Sequence, residues 1–308
     1  MQLDETRIRI RERGVTDILD LALHVMRAYF RPLVIATLLG ALPFFLINEA
    51  LIGWLIHIPL AVTPTDEVVG RSIRFMVAMA LLITVEAPAA SIITTTWLGR
   101  AVFTERPPLR TVLNNIKNVL PRFLWTVLLM RGVVPVLLVA AVMKRGEYSS
   151  GEFTMLVLAG FVCFLRAIRP FMVEIVFLER NPLRASDPNV MTVGRRSTLL
   201  HAPSGSQLLN QWLVDAAYAT LLAVALFGAL PTLQGVLWDR WALSPRLIEF
   251  GWPIVLWLIV GFMTVVRFLN YLDLRIRHEG WEVELRMRAE GNRIASSLRE
   301  RGIRAHVG

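Results

Sequence analysis

Eight ionisable residues stand inside or at the ends of long apolar runs: Glu49, Glu86, Arg131, Arg166, Arg169, Glu174, Asp215 and Arg267, four acids and four bases. A lone charge at the centre of a membrane-spanning helix costs about 2.5–3.5 kcal/mol on insertion scales. Balanced signs therefore point to pairing. Glu86 and Arg166 fall near the middle of their runs, whereas Glu174, Asp215 and Arg267 lie near the ends, from which a side chain can snorkel to water. Arg166 and Arg169 are three apart and so occupy adjoining faces of one helix. The expected polar centre is thus Glu86, Arg166 and Arg169, with Arg131 and Glu49 as further members and Glu86, just before Pro88, as the favoured partner of Arg166. Such a set can pass an ion, a proton or an anionic solute, or it can clamp helices together. The runs lack the closely spaced Asp, Glu or His of a proton relay, which favours the clamp.

Other chemistry has little support. The five histidines, His24, His57, His201, His278 and His306, are too scattered for a metal-ligand spacing. Cys163 is the only cysteine. No G-x-S-x-G elbow, H-E-x-x-H helix or phosphate-cradling glycine loop occurs, and Ser204-Gly205-Ser206 reads as a loop breaker. The expectation is a chain with no enzyme activity, no cofactor and no metal.

The elements that must position these charges follow from hydropathy. The 308 residues are 55% hydrophobic, with a mean hydropathy of +0.54, and the apolar residues are gathered into runs near 32–59, 73–103, 123–142, 153–178, 212–237 and 252–273. Each is long enough to cross a bilayer, which takes roughly 17–25 residues. The predicted fold class is all-α: a six-helix transmembrane bundle over 32–273, preceded by a cytoplasmic segment, 1–31, and followed by a basic cytoplasmic tail, 274–308. Charged residues throughout the first thirty positions argue against a cleaved signal peptide.

A net charge of +9 raises the question of nucleic acid, and the placement of the charges answers it. With the N-terminus inside, Lys and Arg number six in residues 1–31, four in 104–122, four in 179–211 and eight from 274 onward, against five in the three outer loops. That is the positive-inside asymmetry of a multi-pass inner-membrane protein. The expected partners are anionic lipid headgroups and other membrane or cytoplasmic proteins, and nucleic acid is not among them.

Amphipathic segments precede the odd-numbered spans. In residues 15–30, Asp17, Asp20, His24, Arg27 and Arg31 share one helical face. This helix either lies on the inner leaflet or packs on the bundle. Pro107 and Pro108 open a second helix, with Leu109, Val112, Leu113, Ile116 and Leu120 opposite Arg110, Asn114 and Lys117, and Pro121 is expected to close it. A third, weaker helix is expected to start at Asp187-Pro188 and reach Leu200. Prolines 43, 135 and 231, 92 and 96 residues apart, each lie inside an odd-numbered span. Together these features point to three parallel two-span repeats. The near-copies Glu105-Arg106-Pro-Pro-Leu-Arg110 and Glu179-Arg180-Asn-Pro-Leu-Arg184 then fall where even-numbered spans turn into surface helices. Glu105 and Glu179 are placed to hold arginines of their own or a neighbouring elbow.

Beyond the last span stands Tyr271-Leu-Asp273-Leu-Arg275-Ile-Arg277-His-Glu279-Gly280. Asp273 with Arg277, and Arg275 with Glu279, are i, i+4 pairs of opposite sign, and Gly280 suits a helix C-terminus. This signature, together with the opening stretch from Gly14 to Pro43, resembles uncharacterised bacterial integral membrane proteins similar to the membrane domain attached to some glycerophosphoryl diester phosphodiesterases. Similar stand-alone proteins are often encoded beside MoxR-type ATPase operons. The resemblance implies no hydrolase activity, because in the fused proteins that chemistry belongs to a separate soluble barrel with no counterpart here. The expected function is a non-enzymatic scaffold that docks partners through a basic inner face. The alternative is a transporter or lipid-handling protein using the intramembrane Glu/Arg centre.

Overall fold

The computed structural model describes residues 14–56, 66–102, 109–123, 157–187 apart from 158, 159, 162 and 165, 190–239, 241 and 244–279. Among these, every regular element is helical. In chain order they are α1 (Val15–Ala28), α2 (Phe30–Ile52), α3 (Asp66–Ala90), α4 (Ile92–Ala101), α5 (Leu109–Phe123), helical residues within 157–168, α6 (Met172–Glu174) continued by a π turn (Ile175–Glu179), α7 (Val193–His201), α8 (Gly205–Trp238) and α9 (Trp252–Glu279). A second π turn, Leu247–Gly251, leads into α9.

Among the described residues, four stretches are long and apolar enough to cross a membrane: Phe30–Leu55, Val69–Ala90, Gly205–Trp238 and Leu247–Arg277. The shortest has 22 residues, about 33 Å at the α-helical rise, which covers the roughly 30 Å of bilayer hydrocarbon. They correspond to the expected first, second, fifth and sixth spans. The expected third span, with Arg131 and Pro135, lies outside the described residues.

Two of the expected spans are interrupted. The second is disturbed at Ser91, between α3 and α4, although the Ser91 N–H still donates to the Ala87 carbonyl at 2.9 Å and the Thr95 N–H to that of Ser91 at 2.8 Å. Pro88 lies inside α3, where its missing N–H and bulky ring loosen the turn before it. The fourth span, drawn as continuous over 153–178, breaks at Arg169, Pro170 and Phe171 before α6. Pro170 cannot donate to the helical ladder and pushes Arg169 out of helical geometry.

The remaining corrections are local. α5 runs through Pro121 to Phe123. It buries Val112, Ile116 and Val119, while Leu113, assigned to the apolar stripe, is exposed. α7 begins at Val193, where the Thr192 side chain accepts from the Arg195 N–H at 3.4 Å. The cap is Thr192 and not Asp187. α1 matches its expected span to within two residues and turns Asp17, Asp20, His24 and Arg27 outward. Its Ile18 and Ala22 are buried in a core shared with α9, so this helix packs on the bundle.

α9 is the central helix: 61% of its apolar window is buried, against 11% for α8. One core gathers α1, α4, α5, α6, α7 and the C-terminal half of α9 around Trp97, Phe171, Phe177, Leu200, Phe268 and Tyr271. The other joins α2, α3 and the N-terminal half of α9 around Ile52, Phe75, Met79, Leu82 and Trp257. α2 and α3 meet at Gly40, where an added Cβ would lie 2.0 Å from the Ala90 carbonyl oxygen. Small residues allow such close approach in membrane bundles. α9 does not stop at the expected boundary of 273, since Leu274 and Ile276 are also buried.

Candidate functional site

The interrupted helices meet at Arg267. From the middle of α9, its Nε donates to Glu174 Oε1 at 2.7 Å, and its Nη2 donates to Ser91 Oγ at 3.0 Å and to Thr95 Oγ1 at 3.4 Å. Ser91 is the turn between α3 and α4, and its hydroxyl donates onward to the Pro88 carbonyl at 3.0 Å. Glu174 closes α6, four residues past Pro170. One guanidinium thus joins both helix interruptions to the central helix. Glu174 is 0% exposed, which corrects the expectation that it and Arg267 would reach out from the span ends. The ion pair gives the buried Glu174 a cation at Oε1, as buried ions require, while its Oε2 is buried with no hydrogen-bond partner among the described residues.

The break at Pro170 has its own support. The Phe171 N–H, left without a helical acceptor, donates to His201 Nε2 at 3.4 Å, and His201 Nδ1 donates to the Ser197 carbonyl at 2.7 Å. The rings of Phe171 and His201 stack with centroids 5.7 Å apart. His201 was passed over as one of five scattered histidines. Its partner is a backbone group, which no side-chain spacing reveals.

The expected polar centre is divided between two contacts. Asn48 Nδ2 donates to Glu86 Oε2 at 2.8 Å, with both residues buried. Arg166 Nη2 donates to the Val85 carbonyl oxygen at 3.0 Å, one residue from Glu86. Arg166 therefore caps α3 in the turn that Pro88 loosens. Glu49 is half-buried beside Asn48 on α2, and Arg169 is exposed at the helix break.

A second cluster unites the elbow with the C-terminal signature. Glu179, the last residue of the first π turn, accepts from Tyr271 Oη at 2.6 Å through Oε1, and from Arg196 Nε at 2.5 Å and Asn181 Nδ2 at 3.1 Å through Oε2. Arg275 Nε lies 4.0 Å from the same carboxylate and its guanidinium sits over the Tyr271 ring, 5.8 Å from the centroid. Arg180 follows with φ 56°, a left-handed conformation that is uncommon outside glycine and turns the chain sharply away from the span. Arg110, Arg180 and Arg184 are exposed. Asp273 and Arg277 form the expected i, i+4 ion pair. Glu105, Arg106, Gly280 and the side chain of Glu279 lie outside the described residues.

A third contact joins α8 to α9, where Asn270 Nδ2 donates to Asp215 Oδ2 at 3.3 Å. Among the described residues no group of three or more His, Cys, Asp or Glu could hold a metal ion. What these arrangements do chemically is tie helices together: α9 to α4 and α6, α9 to α7 and the elbow, α2 to α3. Comparison with family models, curated proteins and solved structures finds no match to this chain.

Proposed function

We propose that this chain is a non-enzymatic six-span protein of the bacterial cytoplasmic membrane, built as three parallel two-span units with both termini inside, and that it works as a scaffold docking partners on its basic cytoplasmic face. The observation that carries this reading is the Glu179 cluster. One carboxylate engages Tyr271, Arg196 and Arg275, so the elbow, α7 and α9 form one firm platform, while Arg180, Arg184 and Arg195 point outward from it. A platform tied by one shared carboxylate, whose exposed charges are mainly basic, with Arg180, Arg184 and Arg195 against Asp187, suits an acidic partner surface or anionic headgroups. The three-unit plan draws support from Arg267. Ser91 and Thr95, Glu174, and Arg267 itself come from the second span of the first, second and third unit respectively. The resemblance to phosphodiesterase membrane domains, which are themselves joined to a soluble partner domain, points the same way. The test is site-specific crosslinking in cells from the platform. Charge reversal of Arg184 and Arg195 should abolish the crosslinked partner without changing membrane insertion, and unchanged crosslinking would sink the reading.

A second reading, transport or lipid handling, rests on the two interrupted spans that meet at Arg267, since broken helices and ionisable residues mark solute sites in many transporters. Reconstituted vesicles test it. Flux of an anionic solute or lipid that is lost in Arg267→Met, with no partner captured, would favour this reading over the scaffold.

A further inference from the structure

The contact between Asn48 and Glu86 is incomplete as it stands. Asn48 donates from Nδ2 to Glu86 Oε2 at 2.8 Å, yet its Oδ1, on the same carboxamide, is buried with no hydrogen-bond partner among the described residues. Asn48 is 0% exposed and Glu86 4%. A buried carboxamide oxygen needs a donor, and an ionised carboxylate has none to give. A carboxylic acid does: its second oxygen carries the O–H that Asn48 Oδ1 lacks. An acid there would add a second hydrogen bond, from its O–H to Asn48 Oδ1, beside the one that Nδ2 donates to Oε2.

We propose that Glu86 and Asn48 form a proton-binding site in the interior of the bundle, with Glu86 held as a neutral carboxylic acid and Asn48 as its recognition partner. The proton passes from hydronium in the solvent to one carboxylate oxygen: one O–H bond of the hydronium breaks, one O–H bond of the acid forms, and neutral water is left. The surrounding charges leave room for it. Glu49, half-buried one residue along α2 from Asn48, is a second acid and brings no cation to the site. Arg166, facing α3 from the 157–168 helix, places Nη2 on the Val85 carbonyl, and Arg267, on α9, is bound to Glu174, Ser91 and Thr95. Arg71 and Arg74, on α3 itself, stand more than three helical turns away, and Glu249 lies in the π turn before α9. The site holds for a scaffold, where it joins α2 to α3, and for a transporter, where it would load and release a proton.

Infrared spectroscopy of the purified full-length protein in lipid at neutral pH tests this directly, because a carboxylic acid has a carbonyl stretch well separated from the carboxylate bands. The expected result is an acid band that disappears in Glu86→Gln and moves to higher frequency in Asn48→Ala, where both hydrogen bonds between amide and acid are lost. Glu86→Gln should also melt with the wild type, since glutamine reproduces the neutral group. An acid band unchanged in Glu86→Gln, or no acid band at all, overturns the proposal. Should Glu86→Gln fail to fold, Asn48→Ala decides: an unmoved band overturns the pairing.

Discussion

The Tyr271 hydroxyl donates to Glu179 at 2.6 Å across 92 residues of sequence, joining the end of the interrupted fourth span to the central helix. Tyr271 is 0% exposed, so its hydroxyl has no water to fall back on. Tyr271→Phe removes a hydrogen bond to a charged acceptor and should lower stability by about 1.5–3 kcal/mol. Glu179→Ala also strips Arg196 and Arg275 of their anion and should cost more, about 3–5 kcal/mol. Thermal melts in detergent measure both, and the double variant should fall short of the sum because the two residues share one network. Additive losses would mean that Glu179 and Tyr271 act separately.

Arg267 and Glu174 make a sharper test of pairing. Arg267→Met leaves a fully buried carboxylate without its cation and should cost about 3–5 kcal/mol. Adding Glu174→Gln removes the stranded charge and should restore a large part of that loss. If the double variant melts no higher than Arg267→Met alone, the ion pair is not what holds α6 to α9.

The apolar runs made four spans legible, because length and hydropathy alone define a helix that can cross a bilayer. They could not show where a span breaks. Leucine, valine and phenylalanine continue past Pro170, and the His201 contact that supports the interruption is supplied from α7. The charged residues were legible one by one but not as pairs. Depth matches Glu86 with Arg166, whereas Glu174 and Arg267, also of opposite sign, lie near span ends from which either can reach water, so depth alone does not pair them. The elbow at Glu179 and the signature at Tyr271 each stood out, yet nothing local in either links two motifs that only the packing of α9 against the π turn brings together.

The crossing of α2 and α3 at Gly40 should tolerate no side chain. A methyl group there meets the Ala90 carbonyl, which is backbone and cannot swing aside, so Gly40→Ala should destabilise by about 1–3 kcal/mol through overpacking. Gly228, inside α8, has nothing within 4 Å of an added Cβ. Gly228→Ala should be neutral or slightly stabilising by helix propensity. Equal melting shifts for the two variants would refute the close-approach argument.

The proposed six-span topology is open to labelling in intact cells. In a Cys163→Ser background, a cysteine at Lys144, in the loop expected outside, should react with a membrane-impermeant thiol reagent. One at Ala185, exposed beside Arg184, should react only after permeabilisation. Failure to label position 144 from outside would remove the third and fourth spans as a membrane-crossing pair, and with them the three-unit plan.

His201 is the last residue whose role can be isolated. It gives the Phe171 N–H an acceptor where Pro170 interrupts the helix, and its ring lies against Phe171 in a core that excludes water. His201→Phe keeps the stacked ring but strands the N–H, so it should cost about 1–3 kcal/mol. His201→Gln keeps a side-chain acceptor and should lose less of the hydrogen bond but more of the stacking. Melting of both variants, with hydrogen exchange at the Phe171 amide, separates the two contributions. Faster exchange in His201→Phe than in His201→Gln is the expected order. The reverse order would mean that ring packing, and not the hydrogen bond, holds the break in place.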